Sequence, residues 1–162
     1  MQPKPPRLSY VEMTEIVHPG DTNSHGTIFG GRVVSLMDVA AATAAMRHCR
    51  MPVVTASIDK VDFVAPAREG FIISLRAAVT YTARTSLEIG VRVESESPLT
   101  GERRHTASAY LTFVALDENG RPTPVPPLAP ETDAERRRYA AGERRRAERV
   151  KHRSREKKCQ QQ

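Results

Sequence analysis

A single carboxylate stands in the most apolar stretch of the chain. Residues 33–46 (VVSLMDVAAATAAM) are apolar or small around the whole circumference of a helix, and Asp38 is their only charge. A helix that is apolar on every side is predicted to be buried. Burial of an ionised carboxylate without partners is unfavourable. Asp38 is therefore either satisfied by interior donors or poised in a cleft as a general base or nucleophile.

A glycine-rich loop leads into this helix. Four of the nine glycines lie between Gly20 and Gly31, and Gly30 and Gly31 directly precede the apolar stretch. The first N–H groups of a helix have no intrahelical partner, so a helix that opens with Gly-Gly can stabilise a developing negative charge. His25 lies beside Asn23 in this loop, and we interpret it as a turn or rim residue rather than a base.

The elements that must position these groups follow an α+β pattern. Segments 8–17, 53–64, 71–82, 85–97 and 103–116 are rich in β-branched residues, roughly alternating, and bounded by turn residues. Short links at 69–70 and 99–101 predict antiparallel neighbours in meander order. The prediction is a long curved antiparallel sheet of five or six strands wrapped around one central buried helix.

The net charge of +6 is confined to the end of the chain. Residues 131–162 contain 12 Lys and Arg against six Asp and Glu, so residues 1–130 are neutral. A proline cluster at 121–130 predicts an extended strap, and the segment after it lacks apolar periodicity. We expect an N-terminal extension at 1–9, a folded domain at 10–126, and a basic tail at 127–162 that is a solvated helix or disordered.

Several functional classes are disfavoured by composition. No apolar run is long enough to span a membrane, and no secretory signal is present. Cys49 and Cys159 are far apart, which suits a reducing cytoplasm, and no metal-binding spacing occurs. The neutral body has no basic patch for nucleic acid, which disfavours that class of partner.

Several segments together resemble the acyl-CoA hydrolase branch of the hotdog-fold thioesterases. The similarity comprises residues 21–31 (DTNSHGTIFGG) followed by Met37 and Asp38, residues 54–59 (VTASID) with Phe63 and Pro66, and residues 84–86 (RTS). It extends over residues 10–126 and omits the basic tail. The resemblance implies the hotdog fold and an enzyme that hydrolyses acyl-CoA to a free fatty acid and CoA.

The resemblance also implies a role for each matching residue. Asp38 would act as base or nucleophile, and Asn23 from the other subunit of a dimer would orient the water or the carbonyl. The N–H groups of Gly30 and Gly31 would form the oxyanion hole. CoA would contact a further set of side chains: Thr55, Ser57 and Phe63 along the pantetheine arm, and Arg84, Thr85 and Ser86 near the nucleotide.

Other interpretations stay open on sequence alone. Arg84 can equally be a solvated turn arginine, and the chain can be a non-catalytic acyl-CoA sensor whose basic tail contacts nucleic acid. A hotdog dehydratase is disfavoured because the apolar helix contains no histidine at residues 33–46. We expect no metal and no cofactor, since the CoA thioester is the substrate. We also expect a dimer, further assembled into a trimer of dimers; the acyl chain length is not specified by the sequence.

Overall fold

A computed structural model describes residues 1–159 and gives them two α-helices and six strands. The strands are β1 (Val11–Ile16), β2 (Val53–Ile58), β3 (Asp62–Phe63), β4 (Ile72–Thr82), β5 (Ser86–Glu96) and β6 (Arg103–Ala115). The helices are α1 (Gly30–Cys49) and α2 (Asp133–Cys159). Within this part of the chain, no helix is long and apolar enough to cross a membrane.

The six strands form one antiparallel sheet in the order β1-β4-β5-β6-β2, with β3 also paired to β6. Only β4, β5 and β6 follow the predicted meander. The link at 69–70 joins β3 to β4, which are not neighbours, so that part of the prediction was wrong. The predicted strand 53–64 is also divided. The cause lies between Ile58 and Asp62, where four steps along the chain oppose three on β6, from Leu111 to Ser108.

Helix α1 packs on the inner face of the sheet through its smallest residues. Ala40, Ala41, Ala44 and Ala45 are fully buried, and large side chains fill the space opposite, including Leu87, Ile89, Leu111 and Phe113. Small residues on the helix allow the strands to approach closely, so the bulk of the core comes from the sheet. This arrangement confirms the predicted α+β architecture.

Burial of α1 on every side was a wrong expectation for the single chain. Val39 is 53% exposed and Met46 is 45% exposed, and Asp38, next to Val39, is half-buried. The sheet of one chain covers only part of the helix circumference. An apolar stripe of α1 is therefore left without a partner within the described chain.

Helix α2 lies against the outer face of the sheet rather than in solvent. Its start is capped reciprocally: Glu135 N–H donates to Thr132 Oγ1 at 3.2 Å, and Thr132 N–H donates to Glu135 Oε2 at 3.0 Å. The ring of Tyr139 lies 5.0 Å from that of Tyr81 on β4. The expectation of a solvated tail was therefore wrong for one face of this helix.

The proline strap binds the carboxyl end of α1 to the N-terminal segment. Lys4 N–H donates to Pro127 O at 2.9 Å, and Lys4 Nζ donates to His48 O at 2.7 Å. The buried His48 ring donates through Nε2 to Pro126 O at 3.0 Å. Burial lowers the pKa of His48 and outweighs the hydrogen bond to Pro126 O, which would raise it, so the neutral ring is favoured.

Candidate active site

The amino end of α1 presents backbone donors that the helix itself does not use. The N–H groups of Arg32 and Val33 both donate to Phe29 O, at 3.0 and 3.1 Å. Gly30 and Gly31 precede these first intrahelical bonds, and Phe29 provides no side-chain cap. Their N–H groups are thus oriented along the positive end of the helix dipole, as the sequence predicts.

The preceding loop is held by the side chain of Asn23. Its Oδ1 accepts from the N–H groups of His25 at 2.9 Å and Thr27 at 3.3 Å, and its Nδ2 donates to Thr27 Oγ1 at 3.0 Å. Gly26, with φ of +72°, supplies the left-handed residue that closes the turn. Asn23 is therefore held in a fixed turn of the loop that leads into the start of α1.

A cavity of about 370 Å³ opens beside Gly30. The Phe63 ring lies directly over this glycine, so that a Cβ atom at position 30 would be 3.1 Å from Phe63 Cζ. The Thr106 hydroxyl also lines the cavity; it is buried and has no hydrogen-bond partner within the described residues. The other lining residues are mostly apolar: Thr27, Ile28, Val33, Val64, Ala65, Pro66 and Ala67.

Asp38 is accessible and has one specific partner. The Thr55 hydroxyl donates to Asp38 Oδ1 at 2.8 Å. Thr55 lies at a bulge of β2, where pairing with β6 shifts between Thr55 and Ser57. Asp38 thus accepts a hydroxyl donor from the sheet, as the structural alternative expects, but it is half-buried and not enclosed. Its catalytic role stays a prediction.

The remaining residues predicted to bind CoA are distributed around this region. Ser57 Oγ is buried and has no partner within the described chain. Arg84, Thr85 and Ser86 form the turn between β4 and β5, and the Arg84 side chain is exposed. Both Ser86 and Val54 pair with Val114, so this turn lies at the sheet end where β2 begins.

A second groove, of about 500 Å³, lies on the outer face of the sheet. Tyr10, Tyr110 and Arg138 line it together with Arg76 and Arg92. The last two are already paired with Glu94, at 3.5 and 2.9 Å. Neither Asp38 nor the start of α1 contributes to it, so we do not assign the reaction there.

Glu88 is a buried carboxylate that sequence reasoning missed. It is 1% exposed on the outer face of β5, where it accepts from Thr80 Oγ1 at 2.7 Å, Arg145 Nη2 at 2.7 Å and Arg149 Nη1 at 3.0 Å. Burial alone would raise the pKa of Glu88, but hydrogen bonds from Arg145, Thr80 and Arg149 outweigh it and hold the pKa below its usual value. An acid between Leu87 and Ile89 of a predicted strand, together with an arginine-rich tail, was the available signal.

Comparison with known proteins identifies the class to which this fold and site belong. Residues 25–102 match the family model of the thioesterase superfamily. The uncharacterized acyl-CoA thioester hydrolase YkhA of Bacillus subtilis is 47% identical over 78% of this chain and 74% of its own length. The cytosolic acyl coenzyme A thioester hydrolase of Rattus norvegicus is 37% identical over 88% of this chain, which spans only 38% of that protein.

Solved structures agree with this classification. An acyl-CoA hydrolase from Bacillus cereus superposes with a TM-score of 0.92 at 39% identity, covering 97% of this chain and 96% of that one. A hexameric acyl-CoA thioesterase gives 0.90 at 47% identity, covering 94% and 97%. The Staphylococcus aureus acyl-CoA hydrolase bound to butyryl-CoA and CoA gives 0.84 at 38%, covering 93% and 94%. Structures of the Staphylococcus aureus enzyme also exist with alanine in place of an aspartate, a threonine or an asparagine.

The chain belongs to the thioesterase superfamily, and within it to the acyl-CoA hydrolases with the hotdog fold. It is an enzyme of the thioester hydrolase class, as the resemblance in the sequence implies.

Proposed function

We propose that the protein hydrolyses fatty acyl-CoA to a free fatty acid and CoA at sites shared between two subunits. The observation that carries this proposal is that one chain provides both an accessible Asp38, which accepts a hydrogen bond from Thr55, and an uncapped Gly-Gly helix start beside an apolar cavity. The cavity accommodates an acyl or pantetheine chain, and the helix start accommodates the thioester carbonyl. No metal or cofactor is required for this chemistry.

Distance along α1 argues that two chains build each site. Eight residues separate Gly30 from Asp38, which corresponds to about 12 Å along the helix axis at 1.5 Å per residue. A carbonyl bound at roughly 3 Å from the N–H donors is thus out of reach of Asp38 on the same helix. Asp38 therefore acts on a thioester bound at the helix start of a second subunit, beside Asn23 of the partner subunit.

Residue spacing in a solved relative supports these assignments. The asparagine, aspartate and threonine replaced in the Staphylococcus aureus enzyme follow one another at intervals of 15 and 17 residues. Asn23, Asp38 and Thr55 have the same order and the same intervals. We infer that the three are functional here, with Thr55 orienting the Asp38 carboxylate rather than contacting pantetheine.

The reaction consists of acyl transfer from sulfur to oxygen. An oxygen attacks the thioester carbon, the carbonyl oxygen becomes an oxyanion held by Gly30 and Gly31 N–H, and the C–S bond then breaks. If Asp38 is the general base, it takes a proton from water and returns it to the leaving thiolate. If Asp38 is the nucleophile, an acid anhydride forms first and water then hydrolyses it.

Oxygen labelling tests the nucleophilic route. With enzyme in excess and a single turnover in H₂¹⁸O, label in the Asp38 carboxylate identifies a nucleophilic Asp38 whose anhydride is opened at the aspartyl carbon. Label in the fatty acid alone is the result of a general base or of an anhydride opened at the acyl carbon. Mass spectrometry of both products reads the outcome directly.

CoA recognition completes the proposal. Phe63 and Ser57 lie along the segment that would contact pantetheine, and the exposed Arg84 with Thr85 and Ser86 would contact the nucleotide phosphates. We propose that the enzyme acts in the cytoplasm, in keeping with the cytosolic hydrolase it resembles. The sensor hypothesis is not favoured, because Arg145 and Arg149 of the basic segment are engaged with the sheet.

Replacement of Asp38 tests the function itself. Asp38→Asn should reduce the release of CoA thiol by about 100-fold or more, because the amide can neither accept the proton nor attack. The matched control is Asp133→Asn, whose side chain is 84% exposed at the start of α2 and which should keep parental turnover. A fully active Asp38→Asn enzyme of unchanged mass would refute the assignment.

A further inference from the structure

The arginines of α2 connect the centre of the sheet to the strand that carries Thr55. Arg149 Nη1 donates both to Glu88 Oε2 at 3.0 Å and to Asp59 Oδ2 at 2.6 Å. Glu88 lies on the central strand β5, and Asp59 directly follows β2. A single guanidinium thus spans β5, β6 and the end of β2 on the outer face of the sheet.

A second arginine fixes α2 above the intervening strand. Arg145 stacks on the Tyr110 ring of β6, with the guanidinium carbon 3.5 Å from the ring centroid, and also binds Glu88 through Nη2 at 2.7 Å. Gly142 allows the helix to approach, since a Cβ atom there would lie 2.6 Å from Tyr81 Cβ. The helix is therefore docked closely enough for Arg149 to be held in one position.

Strand β2 needs such support because of its place in the fold. Within the described chain it pairs only with β6, and its pairing is interrupted by the bulge between Thr55 and Ser57. Thr55 at that bulge provides the hydrogen bond to Asp38. The position of Thr55 relative to α1 depends on how firmly the two ends of β2 are anchored.

We propose that Arg149 is a positioning residue for the reaction, acting through Asp59 and β2 on Thr55 and thereby on Asp38. This inference rests on the proposed function of Asp38. It assigns to the basic segment a role in catalytic geometry on the opposite face of the sheet from the reacting groups. Loss of the Arg149 contact should lower kcat, because Thr55 orients the Asp38 carboxylate. The binding of CoA should be unchanged.

The sharpest test weakens the β2 end of this connection by removing the charge of its acceptor, and leaves Glu88 paired. Asp59→Asn should lower kcat for acyl-CoA by about tenfold, with KM within twofold, because loss of alignment by a fraction of an ångström weakens catalysis. Glu148→Gln, an exposed carboxylate replaced by an amide on α2, is the control and should leave both constants unchanged. Arg149→Gln should reproduce the kcat defect of Asp59→Asn if it folds.

A double-variant cycle distinguishes positioning from a general structural role. If the effect passes through Thr55, Asp59→Asn combined with Thr55→Ala should have nearly the same kcat as Thr55→Ala alone. The proposal would be overturned if the reductions in kcat of the two single variants multiplied in the double variant. It would also be overturned if Asp59→Asn lowered the melting temperature and left kcat unchanged. Failure of the proposed function is seen separately, as an active Asp38→Asn enzyme in the same assay.

Discussion

At the scale of single residues, Gly30 combines two requirements at one position. Its N–H belongs to the helix start, and its missing side chain leaves room for the Phe63 ring. The second requirement arises from a contact with another segment and not from a left-handed backbone, since Gly30 is not among the glycines with positive φ. Gly30 therefore links the proposed oxyanion hole to the wall of the cavity.

Substitution of Gly30 should disturb the cavity while leaving the fold intact. In Gly30→Ala the new Cβ, at 3.1 Å from Phe63 Cζ, should displace the ring and reduce kcat/KM for acyl-CoA by about tenfold. Gly20→Ala is the matched control, because nothing lies within 4 Å of its Cβ position. Circular dichroism should be parental for both variants, and equal kcat/KM values would contradict this role for Gly30.

The sequence draws attention to the candidate reactive groups but does not predict their contacts. Asp38 stands out because it is the one charge in an apolar helix, and Gly30 and Gly31 stand out because they precede it. The bond from Thr55 to Asp38 depends on a bulge whose position is set by pairing with β6. Such a register is a tertiary property, and no local pattern around Thr55 encodes it.

At the scale of elements, α2 is bound to the sheet by charged and small residues instead of an apolar stripe. Apolar periodicity in the sequence therefore does not predict that α2 packs on the sheet. Arg145 and Arg149 are charged residues, yet their partner Glu88 is only 1% exposed. The strands, by contrast, are found from their alternation, with errors at their ends, in the division of 53–64 into β2 and β3, and in the order of pairing. Order depends on the whole sheet, which local alternation does not describe.

Replacement of Gly142 on α2 by alanine should destabilise the protein, although such a replacement in a helix is normally stabilising. Alanine normally stabilises a helix by about 1 kcal/mol relative to glycine. Here the added Cβ would lie 2.6 Å from Tyr81 Cβ and 2.9 Å from Glu88 Oε1, so Gly142→Ala should instead destabilise by about 1–3 kcal/mol. Urea denaturation measures this difference, and a stabilised Gly142→Ala protein would mean that α2 is not docked as described.

The Glu88 network should make α2 docking sensitive to acid. The pKa of Glu88 is lower in the folded chain than its unfolded value of 4.5. Its stabilisation is therefore fully present above pH 4.5 and is lost as the pH falls through the lower folded value. The free energy of unfolding should decrease in that window, and Glu88→Gln should show a shallower decrease there. Parallel profiles for the two proteins would contradict the ion pairs.

At the scale of the whole molecule, the uncovered stripe of α1 favours assembly. Val39 and Met46 on α1, and Val54 and Ile58 on the neighbouring strand β2, are exposed apolar side chains. The two-chain site described above requires a second subunit close to Asp38, which directly precedes Val39. A hexameric relative has the same fold. We propose a dimer across this surface, assembled further into a trimer of dimers.

A charge placed in this apolar stripe of α1 should reduce both the mass of the oligomer and its hydrolytic activity. Val39→Glu puts a carboxylate at a position that is 53% exposed in one chain and buried in the proposed dimer, where it would lack a partner. Light scattering should show a smaller particle, with hydrolysis reduced in proportion. Val150→Glu, at 51% exposure on α2, is the control. A Val39→Glu protein of parental mass would place the subunit contact elsewhere.

The segregation of charge along the chain has a consequence for how substrate arrives. Residues 131–162 hold the entire positive excess, and Arg137 and Arg144 are exposed on α2. The phosphates of CoA are anionic, and attraction between such groups extends over about 10 Å at 0.1 M salt. We therefore expect kcat/KM, but not kcat, to fall as NaCl is raised, and to fall less in an Arg137→Gln, Arg144→Gln protein. The encounter of the enzyme with acyl-CoA would then be governed by a surface remote from the thioester bond that is broken. Ionic strength would regulate the rate of this encounter without altering the chemistry.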